Sequence, residues 1–318
     1  MSKFVVGLDG GGTQTRVLVA DLAGNVTGTG LSGPCSMAAV VPAEALAAAL
    51  AAIDDALSQA GAERADIAAL CAGIAGFSSS ERRQQFTAGL HTAFPGALLS
   101  VEPDYVAAFA GGTGGELGVL VIAGTGSVAY GENAMGVAHK TGAYGYLIDD
   151  GGSGYGVGRL ALAAVMQAAD GTGPATTLTA RVFEYLSLSS LSDIVPGVYG
   201  GTLSRVKIAS LSRAVAEAAS ADDDPVARSI LMRAGGALAH LVHGVTQRLF
   251  ADAPTPFPVI KVGGLWSAGD ALTDVFARSL RRFAPSATIT GPKQSPVEGA
   301  VWRALRLLEQ DQKSLQAS

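Results

Sequence analysis

The sequence predicts an α/β protein with two domains, each built on a central mixed sheet, and with a cleft between them. Length is the first observation, because 318 residues exceed what one domain usually holds, roughly 100–200 residues. The second is a repeated pattern in which a strand, a glycine-rich turn and another strand open each half, at 4–21 and at 117–131. This repeat indicates an internal duplication.

The first half alternates predicted strands and helices. Pro42 favours the first turn of a helix and Gly61 favours its end, so a helix is expected between them. Ser78 and Glu81 have the spacing of a capping box, which predicts a helix running to Phe94. Apolar runs bounded by turn residues predict strands at 4–9, 15–21, 26–31, 66–72 and 98–102, and a short helix is expected at 104–110.

The second half is predicted to be mostly helical. The glycine-rich segment 111–115 lies between the halves and is typical of a break between elements. We therefore place a domain boundary there, with domains at 1–112 and 113–295. Strands are expected at 117–123, 128–131, 259–262 and 287–290, and helices at 158–169, 176–186, 204–219, 225–250 and 297–308.

Charge and composition argue against several classes of function. The net charge is −5 and no run of Lys or Arg occurs, so binding to nucleic acid is not expected. The two cysteines, Cys35 and Cys71, lie far apart and form no metal-binding pair, which fits a reducing, cytoplasmic compartment. The first residues lack the pattern of a signal peptide, and no apolar run of roughly 20 residues predicts a membrane span.

The turn at the head of the first half has the composition of a phosphate-binding loop. Consecutive glycines let a polyphosphate approach the backbone, whose N–H groups can bind it. Threonine hydroxyls add donors, and a carboxylate before the turn suits the water shell of Mg²⁺. These expectations fall on Asp9, Gly10, Gly11, Gly12, Thr13, Gln14 and Thr15. The alternative is an ordinary glycine-rich hairpin.

Two other phosphate-binding motifs are excluded. No G-x-x-x-x-G-K-[ST] pattern occurs, so the chain has no P-loop. A dinucleotide-binding fingerprint requires a helix after its glycines, whereas the segment 15–21 has the character of a strand.

A matching turn opens the second half. Either turn alone is weak evidence, but two at equivalent places favour a nucleotide whose phosphates are gripped from both domains. The second turn comprises Gly124, Thr125, Gly126 and Ser127.

Four segments together carry a resemblance to a known family. They are LDGGGTQTR, VIAGTGSVAYG, IKVGGLWSAG and SPVEGAVWRAL, which resemble its first and second phosphate loops, its adenosine loop and its closing helix. The chain is similar over nearly its whole length to the superfamily of sugar kinases, actin and the heat-shock chaperones. More narrowly, it resembles the N-acetylglucosamine kinases that are grouped with the BadF/BadG/BcrA/BcrD ATPases.

The resemblance implies several properties together. The domains would be actin-like, or ribonuclease H-like, and the cofactors would be ATP and Mg²⁺, with Asp9 holding the metal through water. The backbone at Gly263 and Gly264 would lie against the adenosine. A final helix at 296–312 would pack back on the first domain, and the protein would be a homodimer.

The same resemblance implies a catalytic base at Asp104. In the family, a strand ends in Asn-Asp before a short helix, and the Asp is the base. Here Pro103 replaces the Asn and Asp104 occupies the position of the Asp. The alternative interpretation is that Asp104 only caps the helix, since Asp favours the N-cap position.

Sugar contacts are implied at several further positions. The segment GAYGYLIDDGGSGYGVGR, 142–159, resembles the family's GGWGYLLGDEGSGYWIGR. Asp149, Gly151 and Gly156 stand where the family has Gly, Glu and Trp, and Ser36 stands where it has Asn. The implied substrate-binding residues are Ser36, Gly73, Ala75, Gly76, Asp104, Thr125, Gly145 and Asp150.

The expected function is ATP-dependent phosphorylation of an amino sugar, with N-acetylglucosamine or glucosamine converted to its 6-phosphate. One alternative is a BadF-type ATPase that activates a partner enzyme through an iron–sulfur cluster, but Cys35 and Cys71 do not match its cluster ligands. The other is a non-catalytic sugar sensor. Retention of Asp104, and a phosphate loop that begins at the start of the chain with no preceding DNA-binding segment, favour an enzyme over a sensor.

Overall fold

The computed structural model describes residues 4–76, 79–251 and 256–317. The chain divides into two compact units, one formed by Met1–Glu116 with Pro292–Ser318 and the other by Leu117–Gly291. Each unit contains one five-stranded sheet within the described residues. The α/β fold with two mixed sheets agrees with the fold class that the sequence predicts.

The sheet of the first unit combines a meander with a parallel extension. Its strands are β1 (Phe4–Gly10), β2 (Thr15–Asp21), β3 (Val26–Ser32), β4 (Ile67–Ile74) and β5 (Leu98–Pro103), arranged in the order β3-β2-β1-β4-β5. The β1–β2 and β2–β3 pairs are antiparallel, whereas β1–β4 and β4–β5 are parallel. The carboxyl ends of β1, β4 and β5 therefore meet at one edge of the sheet.

Helices cover both faces of this sheet. They are α1 (Pro42–Ala60), α2 (Ser80–Ala93), α3 (Asp104–Thr113) and α10 (Pro296–Ala317). Val6 and Leu8 pack in the core beside α1 and α2, while Val5 packs with Ala107 of α3 and Ala300 of α10. Alternate residues of a strand point to opposite faces, so α1 and α2 lie on one face and α3 and α10 on the other.

The C-terminal helix α10 is fixed to the first unit by charge as well as by packing. Arg303 of α10 binds Glu102 of β5 through two contacts, with Nε 2.6 Å from Oε2 and the second guanidinium nitrogen 2.8 Å from Oε1. Backbone also meets backbone closely, because a Cβ on Gly299 would lie 2.1 Å from the carbonyl oxygen of Ala107. The helix α3 is therefore seated directly on α10.

The second unit repeats the connectivity of the first. Its strands are β6 (Gly118–Ala123), β7 (Ser127–Glu132), β8 (Ala138–Gly142), β9 (Phe257–Val262) and β10 (Ala287–Thr290), arranged in the order β10-β9-β6-β7-β8. The first three strands form an antiparallel meander, and the pairs β6–β9 and β9–β10 are parallel. This equivalence agrees with the duplication that the repeated strand–turn–strand pattern indicates.

The helices of the second unit bury one continuous apolar core against its sheet. They are α4 (Gly154–Ala169), α5 (Leu178–Leu186), α6 (Ile194–Tyr199), α7 (Arg205–Ala221), α8 (Pro225–Leu249) and α9 (Asp270–Phe283). Short 3₁₀ turns occur at Arg64–Asp66, Leu191–Asp193 and Gly264–Ala268. No helix among the described ranges has the length and apolar character needed to cross a bilayer.

Two local predictions are corrected by the structure, and two elements were missed. The helix α2 is capped by Ser79, whose side chain accepts the N–H of Arg82, while Ser78 lies outside the described residues. The helix α3 does not break at Gly111 but continues to Thr113, because Gly111 packs against the backbone of Ser295. Strand β8 and helix α6 were not predicted at all.

We expect the substitution Gly299→Ala to destabilise the protein by about 3 kcal/mol, since an added methyl group would overlap backbone atoms of α3. Urea unfolding monitored by circular dichroism measures the change. Gly96→Ala is the matched control, because a Cβ at Gly96 would meet no atom within 4 Å and its backbone is not left-handed. Equal stabilities of the two variants would contradict the close packing of α3 on α10.

Candidate functional site

The loops at the carboxyl edge of the first sheet are joined through the backbone of the first glycine turn. The carbonyl oxygen of Gly11 accepts the N–H groups of Cys35 and Ser36, each at 3.1 Å. The carbonyl oxygen of Gly10 accepts the N–H of Ala75 at 2.9 Å. The turn after β1, the loop after β3 and the loop after β4 therefore form one connected structure.

The turn between β1 and β2 exposes backbone that the protein itself does not use. The N–H of Gly11 donates to the carbonyl of Gln14 at 3.0 Å, whereas Gly12 and Thr13 are exposed. Within the described ranges, the N–H groups of Gly12, Thr13 and Gln14 have no backbone acceptor. A Cβ on Gly12 would meet nothing within 4 Å and its φ is not positive, so the fold does not require glycine there. Open N–H groups of this kind suit an anion.

Thr15 has a different role from the one predicted. Its side chain is fully buried and its hydroxyl donates to the carbonyl of Gly33 at 2.7 Å. The predicted use of this hydroxyl as a phosphate donor does not fit that position. Thr15 instead fastens the loop after β3 to the glycine turn.

Two carboxylates approach each other at this edge of the sheet. Asp9 lies near the end of β1 and Asp104 is the first residue of α3, and both are partly buried. Burial raises the pKa of Asp9 to about 6, with a further rise from the negative charge of Asp104 and an opposing effect of Arg16. Burial also raises the pKa of Asp104, against the backbone N–H groups of Tyr105 and of Asp104 itself. A bound cation would reduce the repulsion between these two carboxylates.

The interpretation of Asp104 as a helix cap is wrong. Pro103 is the N-cap of α3, and the carboxylate of Asp104 accepts the N–H of the next residue, Tyr105, at 3.0 Å. Gly73 of β4 allows this end of α3 to come close, since its Cβ would lie 2.6 Å from the Cβ of Ala107. The structure therefore gives Gly73 a packing role beside Asp104.

Ser36 and Gly76 are close together, but Ser36 is buried whereas Gly76 is exposed. Ser36 is only 4% exposed, and its hydroxyl oxygen accepts the N–H of Ala38 at 3.3 Å. Gly76 has a φ of +80°, and a Cβ there would lie 3.0 Å from the oxygen of Ser36. In this conformation Ser36 shapes the loop and shows little surface to a ligand.

The second glycine turn is packed against the start of α4. The N–H of Gly124 donates to the carbonyl of Gly126 at 3.0 Å, which closes the turn. The carbonyls of Gly124 and Thr125 accept the N–H groups of Gly154 at 2.7 Å and Tyr155 at 3.3 Å. These bonds hold the turn in one shape.

Asp150 lies directly beneath this second turn. Its side chain is 4% exposed, and its two oxygens accept the N–H of Ser127 and one N–H of Arg205, each at 3.2 Å. Burial raises the pKa of Asp150, and both of these partners oppose the rise. Each oxygen of Asp150 thus uses one of its two acceptor positions for the protein, and the predicted sugar contact would share an oxygen with Ser127 or Arg205.

Arg205 is the residue of this region that sequence reasoning missed. Its guanidinium lies beside the turn, 2.9 Å from where a Cβ on Gly126 would stand. It also lies over the ring of Tyr146, 5.4 Å from the centroid. No sequence pattern signals it, because Arg205 opens α7, far along the chain from the turn.

The remaining predicted residues also fall in the second unit. Gly263 follows β9 with a φ of +108°, and its Cβ would lie 2.3 Å from the carbonyl oxygen of Ala123, so it sits against the end of β6. Gly264 and Gly145 have open space where a Cβ would stand. The predicted site residues thus form two groups, one in each unit.

Two sheets of the same connectivity, each with a glycine turn between its first two strands, define an actin-like fold of the sugar kinase type. The model of the BadF/BadG/BcrA/BcrD ATPase family matches residues 6–304. The chain belongs to this family.

Two curated relatives and one solved structure illustrate the similarity. N-acetyl-D-glucosamine kinase of Dictyostelium discoideum is 30% identical over 96% of this chain and 99% of the relative. N-acetylmuramic acid/N-acetylglucosamine kinase of Clostridium acetobutylicum is 29% identical over 94% and 97% of the two chains. A crystal structure from Chromobacterium violaceum, provisionally assigned as an N-acetylglucosamine kinase, superposes with a TM-score of 0.76 at 24% identity and covers 94% and 98% of the two chains.

We expect the raised pKa of Asp9 to make stability fall as pH rises. Unfolded Asp9 loses its proton near pH 3.8 and folded Asp9 near pH 6. Between these values the folded state holds the extra proton, so the free energy of unfolding decreases with rising pH. Asp9→Asn should therefore be more stable than wild type at pH 7, and the gain should shrink towards pH 4.

Chemical unfolding at several pH values, without nucleotide or divalent cations, measures this difference. Asp55→Asn is the matched control, because Asp55 lies exposed on α1. A pH-independent difference between Asp9→Asn and wild type would contradict the assigned titration of Asp9.

Proposed function

We propose that this chain is an ATP-dependent kinase that transfers the γ-phosphoryl group to a hydroxyl of an amino sugar. The observation that carries the proposal is the pair of partly buried carboxylates, Asp9 and Asp104, at the edge of the sheet where the first glycine turn exposes its N–H groups. The curated relatives are named as kinases of N-acetylglucosamine and N-acetylmuramic acid, which supports an amino sugar as the acceptor.

Asp104 is the proposed catalytic base. Phosphoryl transfer proceeds through a loose transition state, so orientation of the hydroxyl and neutralisation of charge matter most. A carboxylate with few internal partners can accept a hydrogen bond from the sugar hydroxyl and take its proton late in the reaction. Its raised pKa makes Asp104 a stronger base than an exposed Asp.

Asp9 is the proposed residue for Mg²⁺, which it would hold through water. The donors fit this cation, because Mg²⁺ prefers oxygen ligands and keeps several waters. The repulsion between Asp9 and Asp104 also favours a bound cation. Mg²⁺ when bound would neutralise phosphate charge.

The glycine turns are the proposed nucleotide-binding elements. In the first unit, the N–H groups of Gly12, Thr13 and Gln14 would bind phosphate oxygens. In the second unit, the N–H groups of Gly124 and Ser127 already donate to Gly126 and Asp150, so the turn would bind phosphate through Thr125 and Gly126. The open space at Gly264 would accept the adenosine.

N-acetylglucosamine and glucosamine are the proposed substrates, with the 6-hydroxyl as acceptor. The protein would act in the cytoplasm as a homodimer, without nucleic acid or membrane partners. Ser36, buried and shorter than the Asn it replaces, offers less to the N-acetyl group, which makes glucosamine a serious candidate.

The role of an iron–sulfur ATPase has less support. Cys35 and Cys71 are both fully buried inside the first unit. Burial raises the pKa of the Cys35 thiol to about 12 and also raises that of Cys71, so neither is a ready thiolate. No cluster of three or more His, Cys, Asp or Glu side chains that could hold a metal occurs among the described residues.

We expect sugar-dependent ADP release with at least one amino sugar. A coupled assay with Mg²⁺-ATP would compare glucosamine, N-acetylglucosamine, N-acetylmannosamine, N-acetylmuramic acid and glucose. Activity with none of the amino sugars, or equal activity with glucose, would contradict the proposed substrate class.

We expect Asp104→Asn to lose at least about 100-fold in turnover, the upper range of general-base effects being ~10⁴-fold. ATP binding should change little, because Asn keeps the shape of the side chain. The variant Asp274→Asn, on the exposed surface of α9, is the control. Near-normal turnover by Asp104→Asn would overturn the assignment of the base.

A further inference from the structure

The ion pair between Arg205 and Asp150 has a single contact, whereas two other arginine–carboxylate pairs in the same molecule have two contacts each. One guanidinium nitrogen of Arg205 lies 3.2 Å from one oxygen of Asp150. In contrast, Arg303 binds Glu102 through two contacts of 2.6 and 2.8 Å, and Arg181 binds Asp222 in the same way. Two parallel contacts are the strong arrangement for a guanidinium and a carboxylate. Arg205 therefore keeps unused capacity for an anion.

A second observation concerns the Nε atom of Arg205. This nitrogen is buried and has no hydrogen-bond partner within the described part of the chain. An N–H group that is withdrawn from water and left unpaired costs free energy. In this position the guanidinium of Arg205 therefore has an unused hydrogen-bond donor. The side chain as a whole is 38% exposed, so a ligand can reach it.

The guanidinium is placed where phosphate oxygens are expected. It lies against Gly126 of the second glycine turn, 2.9 Å from the Cβ position of that residue. The oxygens of Asp150 lie 3.2 and 3.4 Å from the same point. The ring of Tyr146 supports the guanidinium from another side. A nucleotide at this turn would meet one positive and one negative side chain together.

We propose that Arg205 is a nucleotide-binding residue that exchanges Asp150 for the phosphates of ATP. In the free protein Arg205 compensates the buried carboxylate. When phosphates reach the turn, the guanidinium binds them through two N–H groups, and Asp150 gives up its contact with Arg205. Asp150 then has an oxygen free for a sugar hydroxyl, so the nucleotide prepares the sugar site.

This inference rests on the proposed function for its ligand and its second step. It concerns side chains of the second unit only, and it predicts an order in which nucleotide binding strengthens sugar binding. In the exchange Arg205 remains paired with an anion, whereas Asp150 loses this cationic partner and keeps the N–H of Ser127.

The test is the binding of ATP and of adenosine, measured by calorimetry with Mg²⁺ and without sugar. Arg205→Met should weaken ATP binding by about 10- to 100-fold, the effect of losing hydrogen bonds to a charged group. Adenosine has no phosphates, so its affinity should be unchanged. Arg205→Lys should recover part of the loss, and Lys207→Met, exposed on the same helix, should bind ATP like wild type.

The double variant Arg205→Met, Asp150→Asn separates direct contact from mere charge compensation. If Arg205 binds phosphate, removal of the Asp150 charge will leave ATP binding weak. Full recovery of ATP affinity in the double variant would overturn the proposal, as would unchanged affinity in Arg205→Met. Thermal unfolding of each variant confirms that it is folded.

Sugar binding provides the remaining readout. In the wild type, ADP should tighten the binding of glucosamine or N-acetylglucosamine, and in Arg205→Met this tightening should be lost. Failure of the kinase proposal would show as an absence of sugar phosphorylation in the wild type, whereas the ATP and adenosine measurements would still decide the role of Arg205.

Discussion

The parallel register of β1, β4 and β5 is the constraint on which the first unit's site depends. It brings three strand ends to one edge, and the carbonyls of Gly10 and Gly11 then join the neighbouring loops by accepting their N–H groups. The carbonyls of the turn are used in this way, but the N–H groups of Gly12 and Thr13 have no backbone acceptor among the described residues. The local chemistry favours anions at the turn and cations beside it, where Asp9 and Asp104 repel each other.

The two units use the same connectivity for different electrostatic tasks. In the first, burial raises the pKa of Asp9 near the glycine turn, and the negative charge of the neighbouring Asp104 raises it further. In the second, a carboxylate and a guanidinium lie together below the turn, and their pairing is incomplete. The two units thus share one arrangement of strands and glycine turn and differ in the charged side chains beside that turn.

Local signals made much of the fold predictable. Glycine turns between apolar runs marked both hairpins, and Pro42 and Gly61 marked the ends of α1, because these residues act on their own backbone. The two turns of the candidate site were predictable because each is a contiguous motif. It was not predictable at Thr15 or Arg205, whose partners lie far along the chain, nor at Gly111, where helix packing overrides a glycine's tendency to break a helix.

The path of the chain through the units has a consequence for biosynthesis. Leu117–Gly291 is continuous, whereas the first unit needs α10 from the end of the chain to complete its core. During synthesis from the N-terminus, domains tend to fold as they emerge. The inserted unit can therefore mature on the ribosome before α10 emerges, while the helix that carries Asp104 receives the support of α10 only later.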